Sequence, residues 1–409
     1  MPSQKATLTI DLPNTHNVIT FKPPSTPQFS RTTPNYRTQD PTELRGSLEL
    51  YLPSKRQVKS IKVNLKNVED IIINGKSNRR LVLNEELLIS VNELMHQGVH
   101  QYEFSFIVDT RTPTYERHSR GGTLQYLEAF VEFDEIFSKS LIHKMPLIFV
   151  GHPNSEGSFI PLEHLHQDYV EDIGPFEVSF KTQHLTIAGY ILIGIYLPSP
   201  APGLEIRGVK VSLEQHTTIH DEEKVIEKLP VNVNVLLDKG GKTDCLIRVP
   251  DQDSVIEGRY FVRLPKDDDC RPSTLDWSLA RFRQAHFLVV DMLYKKEKLK
   301  MATVKIPLVL PQCLLSADSI ALPTYTDTGY PVPAKRLWEM PLPQSHINCS
   351  CGKDDKSLKA DAEGANNLDT YVPSREGIWI SNLRTKEESI PSRDSYEEIR
   401  AAKRVNEYY

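Results

Sequence analysis

"SLELYLPS" (residues 47–54) and "LIGIYLPS" (residues 192–199) write Tyr-Leu-Pro-Ser behind a strand-like run twice, with the two tyrosines 145 residues apart. In the first copy Leu48, Leu50 and Leu52 alternate with Ser47, Glu49 and Tyr51, the period of two that gives a strand one buried and one wet face. Pro53 has no N–H to donate and ends the ladder. In the second copy Ile193, Ile195 and Leu197 take the inward phase, Tyr196 points outward and Pro198 stops the strand. Another alternating run follows each copy, "IKVNL" (61–65) and "VKVSL" (209–213), and each is expected to pair antiparallel with the strand before it.

The echo extends further along the chain. "GVHQYEFSFIV" from Gly98 is answered by "GRYFVRLP" from Gly258, "LQYLEAFVEFD" (124–134) by "AHFLVVDMLY" (285–294), and "MPLIFV" (145–150) by "IPLVLP" (306–311). One match is weak because strands draw on a small alphabet of Val, Ile, Leu and Tyr. Four in the same order point to a duplicated unit of domain size. Both copies read as short strands split by turn chemistry, with Lys239-Gly240-Gly241-Lys242 expected as a hairpin turn. Neither copy carries long helical periodicity. Such strands bury one face each by packing two sheets together. The fold class is therefore all-β, with two consecutive immunoglobulin-like β-sandwiches at 6–155 and 174–322. Residues 156–173 are read as a linker, and 323–409 as a largely disordered tail of polar and proline-spaced sequence. Within that tail Ser395 and Glu398 form a capping box in front of a short helix-forming stretch.

Composition narrows the function classes. With 409 residues, 39% hydrophobic and 25% charged, the chain can build more than one core. A net charge of -5, from 49 basic against 54 acidic residues, gives no electrostatic case for nucleic acid. Five scattered cysteines suit a reducing compartment better than a disulfide framework. The start "MPSQKATLTIDLP" has no apolar signal region, and the longest apolar run, 188–198, is too short to cross a bilayer as a helix. No catalytic, cofactor-binding or metal motif stands out. His164, His166 and Asp168 alternate on one face, and His346, Cys349 and Cys351 form at most half a zinc site, so both groups read as plain polar residues.

With duplication and strand order established, the chain resembles the arrestin family, in particular the fungal α-arrestins. The resemblance covers 6–322 and rests on "TLTIDLP" (7–13), "LRGSLELYLPS", "SIKVNLKNVED", the block from Gly98 to Asp134 that carries Tyr126, and in the second half "AGYILIGIYLPSPAPGLEIRGVKVSLEQHTTI" and "IPLVLP". It implies the arrestin fold and a non-enzymatic trafficking adaptor without cofactors, cytoplasmic and peripheral at the plasma membrane or endosomes. Such an adaptor binds membrane transporter or receptor cargo tails and recruits a HECT-type ubiquitin ligase for endocytosis. The ligase's WW domains read Pro-Pro-x-Tyr, an extended motif that loses little entropy on docking. This chain has no Pro-Pro-x-Tyr, and the nearest variant is Leu322, Pro323 and Tyr325 in "LPTY". That departure keeps a second reading open, a retromer- or coat-type sorting subunit without ligase contact. Three basic clusters are candidates for acidic cargo or an anionic membrane surface: Lys76, Arg79 and Arg80; Arg117 and Arg120; and Lys295, Lys296, Lys298 and Lys300.

Overall fold

The computed structural model describes residues 5–12, 17–21, 42–134, 139–152, 161–222, 224–240, 246–248, 255–266, 268–311, 360, 372–374 and 377–379. The fold is all-β, with β-sandwich character. Its first half holds β1 (Thr7–Asp11), β2 (Val18–Phe21), β3 (Thr42–Leu52), β4 (Arg56–Ile73), β5 (Lys76–Met95), β6 (Gly98–Val108), β7 (Arg117–His118), β8 (Gly121–Phe133) and β9 (Leu141–Gly151). The second half holds β10 (Leu162–Val170), β11 (Gly174–Thr182), β12 (Tyr190–Leu197), β13 (Glu205–Asp221), β14 (Lys224–Lys228), β15 (Asn232–Gly240), β16 (Ile247–Arg248), β17 (Ile256–Arg263), β18 (Phe282–Lys295) and β19 (Leu299–Leu308). Two short tail strands follow, β20 (Val372–Ser374) and β21 (Gly377–Trp379).

The Tyr-Leu-Pro-Ser stretches end β3 and β12 with the expected faces. Leu48, Leu50 and Leu52, and likewise Ile193, Ile195 and Leu197, are at most 1% exposed, while Tyr51 and Tyr196 are half-buried. The run after each proline does not pair with the strand before it. β3 lies in the sheet β1-β3-β6 and β4 in the sheet β2-β9-β8-β4-β5. In the second half β12 lies in β10-β11-β12-β17 and β13 in β14-β13-β18-β19. Both strands of each pair carry buried inward faces, so the chain turns across the end of the core to the opposing sheet. A flat hairpin would have placed both on one sheet. Of the turn expected at Lys239–Lys242, Gly241 and Lys242 lie outside the described residues, and the strands on either side pair elsewhere, β15 with β13 and β16 with β17.

Duplication is visible in the pairing. β3 pairs with β6 as β12 does with β17, β4 with β8 as β13 with β18, and β8 with β9 as β18 with β19, all antiparallel. Even β2 leaves a remnant. It pairs parallel with β9 from Ile148 to Gly151, and in the second half one bond, Ile187 N–H to Pro311 O at 3.1 Å, stands in its place. Pro311 sits where Val150 does and has no N–H for a ladder. Each half has its own core, one built around Leu48, Leu65, Phe106, Ala129 and Phe149, the other around Phe180, Ile193, Val211, Tyr260, Val290 and Ile306.

Half of the stretch expected to be linker, 162–170, is strand. β10 pairs with β11 over nine residues, from Leu162 opposite Thr182 to Val170 opposite Gly174. Leu162, His164, His166 and Asp168 alternate on one face, but with only one apolar side chain among them the alternation does not mark a strand. In the tail, β20 and β21 form a hairpin, with Ile378 and Trp379 opposite Phe261 and Tyr260 of β17. The capping box at Ser395 and the proposed disorder of 323–409 otherwise lie outside the described residues.

After the second Tyr-Leu-Pro-Ser the turn depends on Gly174. Its φ of +92° lies in a region that side chains disfavour, and an added Cβ would lie 2.5 Å from Ser199 O. Ala201 N–H also donates to Ile173 O at 2.8 Å, binding the two segments together. Gly174→Ala is expected to destabilise the fold by about 2 kcal/mol or more, read as a lowered denaturant midpoint with an unchanged m-value.

Candidate functional site at the seam between the halves

The inward phase of β4 runs Val63, Leu65, Asn67, Glu69, Ile71, and that of β13 runs Val211, Leu213, Gln215, Thr217, Ile219. Each changes from aliphatic to polar in its last third, yet every one of these residues is at most 4% exposed. A buried polar group must find a partner. Asn67 and Gln215 find theirs in two loops that face one another across the seam, and Thr217 finds its partner in Gln284 of β18 at 2.6 Å. Asn67 stands opposite Gln125, and both donate side-chain N–H to Pro113 O, at 2.8 and 3.4 Å. At the matching place in the second half Gln215 stands opposite His286. Gln215 Oε1 accepts from Arg271 N–H at 2.8 Å, while His286 Nδ1 lies 2.8 Å from Ser273 Oγ and its Nε2 3.3 Å from Cys270 Sγ. The loops are anchored alike at their far ends, Tyr115 N–H donating to Phe149 O and Ser273 N–H to Leu310 O.

Charged side chains close the seam. Arg271 Nε donates to Glu116 Oε1 at 2.9 Å and its Nη2 to Tyr115 O at 3.2 Å, with both charged side chains at most 10% exposed. Glu69 Oε2 accepts from Arg80 at 2.5 and 3.1 Å, and its Oε1 accepts the Arg281 backbone N–H at 2.9 Å. Burial raises the Glu69 carboxyl above the usual range, and Arg80 opposes that rise. Arg281 also donates to His220 O and Asn78 Oδ1, and Arg80 to Leu279 O. At the rim Arg117 pairs with Asp268, and Arg120 with Glu227 at 2.8 Å. Ile71, Ile219 and Phe282 pack as a small apolar cluster beneath these pairs. A cleft of about 440 Å³ opens beside them, lined among others by Arg117, His118, Asn232, Asp268, Cys270 and Arg271.

The candidate residues named from sequence divide. Arg80, Arg117 and Arg120 are committed to carboxylates of the seam, so they do not project as free cations. Lys76 and Arg79 are exposed at the nearby β4–β5 turn. Lys295, Lys296, Lys298 and Lys300 are exposed at the β18–β19 turn, where Lys300 pairs with Asp172. That turn lies at the opposite end of β18 from Phe282, roughly 40 Å along the strand. The lysines at 295–300 therefore lie far from the clusters at the seam. His166 lies 3.6 Å from Asp168 on β10, and among the described residues no group of three or more side chains could hold a metal ion. Leu322, Pro323 and Tyr325, with His346, Cys349 and Cys351, lie outside the described residues. Sequence reading missed Asn67, Glu69 and Gln215, although polar letters on an inward phase were the available signal, and it missed Arg271, a loop residue that carries no such signal. No family model matches the chain, and no curated protein matches it either.

Two outcomes follow from the seam. Removing one partner of a buried ion pair strands the other, so Arg271→Ala or Glu116→Ala should each cost about 3–5 kcal/mol in thermal or denaturant unfolding. The double variant should fall short of the sum, giving a measurable coupling energy in a double-mutant cycle. Burial also pushes the His286 imidazole down to about 4. The unfolded chain takes up that proton near pH 6.5, so stability present above 6.5 is lost as pH falls toward 4. Relative to His286→Gln, which copies Gln125 at the matching position, the wild type should lose about 3 kcal/mol over that window in pH-dependent unfolding.

Proposed function

We propose that the chain is a non-enzymatic trafficking adaptor of arrestin type, built from two immunoglobulin-like sandwiches that hold their relative placement through the charged seam. The observation that carries this reading is the doubled strand order, with three antiparallel pairings matched between the halves and facing loops pinned by matched buried polar residues. In this reading the protein works at the cytoplasmic face of the plasma membrane or endosomes. It engages the cytoplasmic tail of a membrane transporter or receptor through exposed groups near the seam, Lys76 and Arg79 first. Recruitment of a HECT-type ubiquitin ligase falls to "LPTY", through Leu322, Pro323 and Tyr325.

The missing Pro-Pro-x-Tyr favours a second reading, a retromer- or coat-type subunit that sorts cargo without a ligase. A peptide of residues 321–330 titrated into isolated WW domains separates the two. Adaptor function predicts binding that Pro323→Ala and Tyr325→Ala each weaken at least tenfold, with loss of ligase recovery by the full chain carrying either change. No binding by the wild-type peptide, together with no ligase recovered by the intact protein, moves the assignment to the sorting subunit.

A further inference from the structure

β14 and β15 lie end to end along β13, β14 opposite 218–221 and β15 opposite 208–215, with Leu229 N–H donating to Thr217 O between them. Together they make one long edge, and among the described residues no strand pairs with its outer side.

Exposed edges recruit other strands unless charge protects them. Most long edges here are charged: β5 carries Glu85, Glu86 and Glu93, β10 carries Glu163 and Asp168, and β19 carries Lys300 and Lys305. From Leu229 to Leu237 the β14–β15 edge has no charge at all. Val231, Val233 and Val235 are 44%, 49% and 52% exposed, an apolar stripe on a β-branched strand facing solvent. Asn232 and Asn234 alternate with them, and their side chains donate to Asp269 O at 2.8 and 3.4 Å.

The order of residues selects the occupant. "VNVNV" reads the same in both directions, so antiparallel pairing of two identical edges about Val233 sets Val233 opposite Val233, Val231 opposite Val235 and Asn232 opposite Asn234. Extending that register outward places Pro230, which has no N–H, opposite Leu236, the residue that the β13–β15 ladder skips at its bulge. One step further Leu229 meets Leu237, and then Lys228 meets Asp238, opposite charges directly across. Both Lys228 and Asp238 are exposed, and neither has an ion-pair partner among the described residues. We propose that a second copy of this chain docks here, the two edges pairing antiparallel about a two-fold axis through Val233 and joining both five-stranded sheets into one.

A two-fold contact of this kind is isologous, so each substitution acts twice. Sedimentation of the full chain across a concentration series should show dimer in the micromolar range, and Val233→Lys, which sets two ammonium groups face to face, should raise the dissociation constant at least tenfold while leaving the unfolding midpoint unchanged at concentrations low enough for both proteins to be monomeric. Lys228→Asp and Asp238→Lys should each weaken the dimer, and the double exchange should restore it. Under mild oxidation Val233→Cys should give a covalent dimer that the wild type does not. A wild-type chain that stays monomeric at tens of micromolar overturns the proposal, as does a dimer that Val233→Lys leaves intact. Failure of the double exchange to restore association overturns the register.

Discussion

Four buried polar positions, Asn67 and Gln125 in the first half and Gln215 and His286 in the second, constrain the rest of the molecule. Each is placed where a strand pair would otherwise carry aliphatic side chains, and each must be satisfied by backbone or side chain nearby. That requirement fixes the loop around Pro113 and the loop around Arg271, and those loops carry Glu116 and Arg271 into contact. The ion pair is thus a consequence of how the cores end. Without the pinned loops its two members would have no reason to meet.

A desolvated pair of this kind contributes little net stability compared with a well-packed apolar substitute, while losing one member is costly. Its physical effect is selectivity among arrangements. Any relative placement of the halves that separates Glu116 from Arg271, or Glu69 Oε1 from the Arg281 N–H, leaves buried polar groups without their partners. The Ile71, Ile219 and Phe282 cluster tolerates sliding better, because apolar contact is not directional. Register across the seam therefore comes from the charges and adhesion from the cluster.

Much of the fold was legible because strand alternation reports burial directly. Leu48, Leu50 and Leu52 declare their face, and so do Ile193, Ile195 and Leu197. What alternation cannot report is the sheet to which a strand belongs. A proline stop looks the same before an in-plane hairpin and before a crossing to the opposing sheet, so "IKVNL" and "VKVSL" were assigned to the wrong neighbours. β10 was lost for a related reason, since a half-exposed edge strand needs few apolar letters. The seam was invisible in a different way. Arg80, Arg117 and Arg120 read as surface charge, and only their distances to Glu69, Asp268 and Glu227 show that their charge is already used. A sequence lists charges one by one, whereas commitment is a property of pairs distant in the chain or facing across two strands.

Duplication also explains why the two halves differ where they do. A repeated unit starts with identical edges, and each edge must then be covered, charged or broken. In the first half β5 is one continuous strand of 20 residues, bulged at Val82 and Ile89, and is guarded by three glutamates. At the same place in the second half the edge is broken at Pro230, bulged at Leu236 and left neutral between them. Pro311 removes the N–H that would have held a counterpart of β2, so that edge too diverged through the loss of one donor. The halves kept their inward phases, where packing allows little change, and diverged along their rims. Rims are where a duplicated fold can take on different partners without disturbing either core.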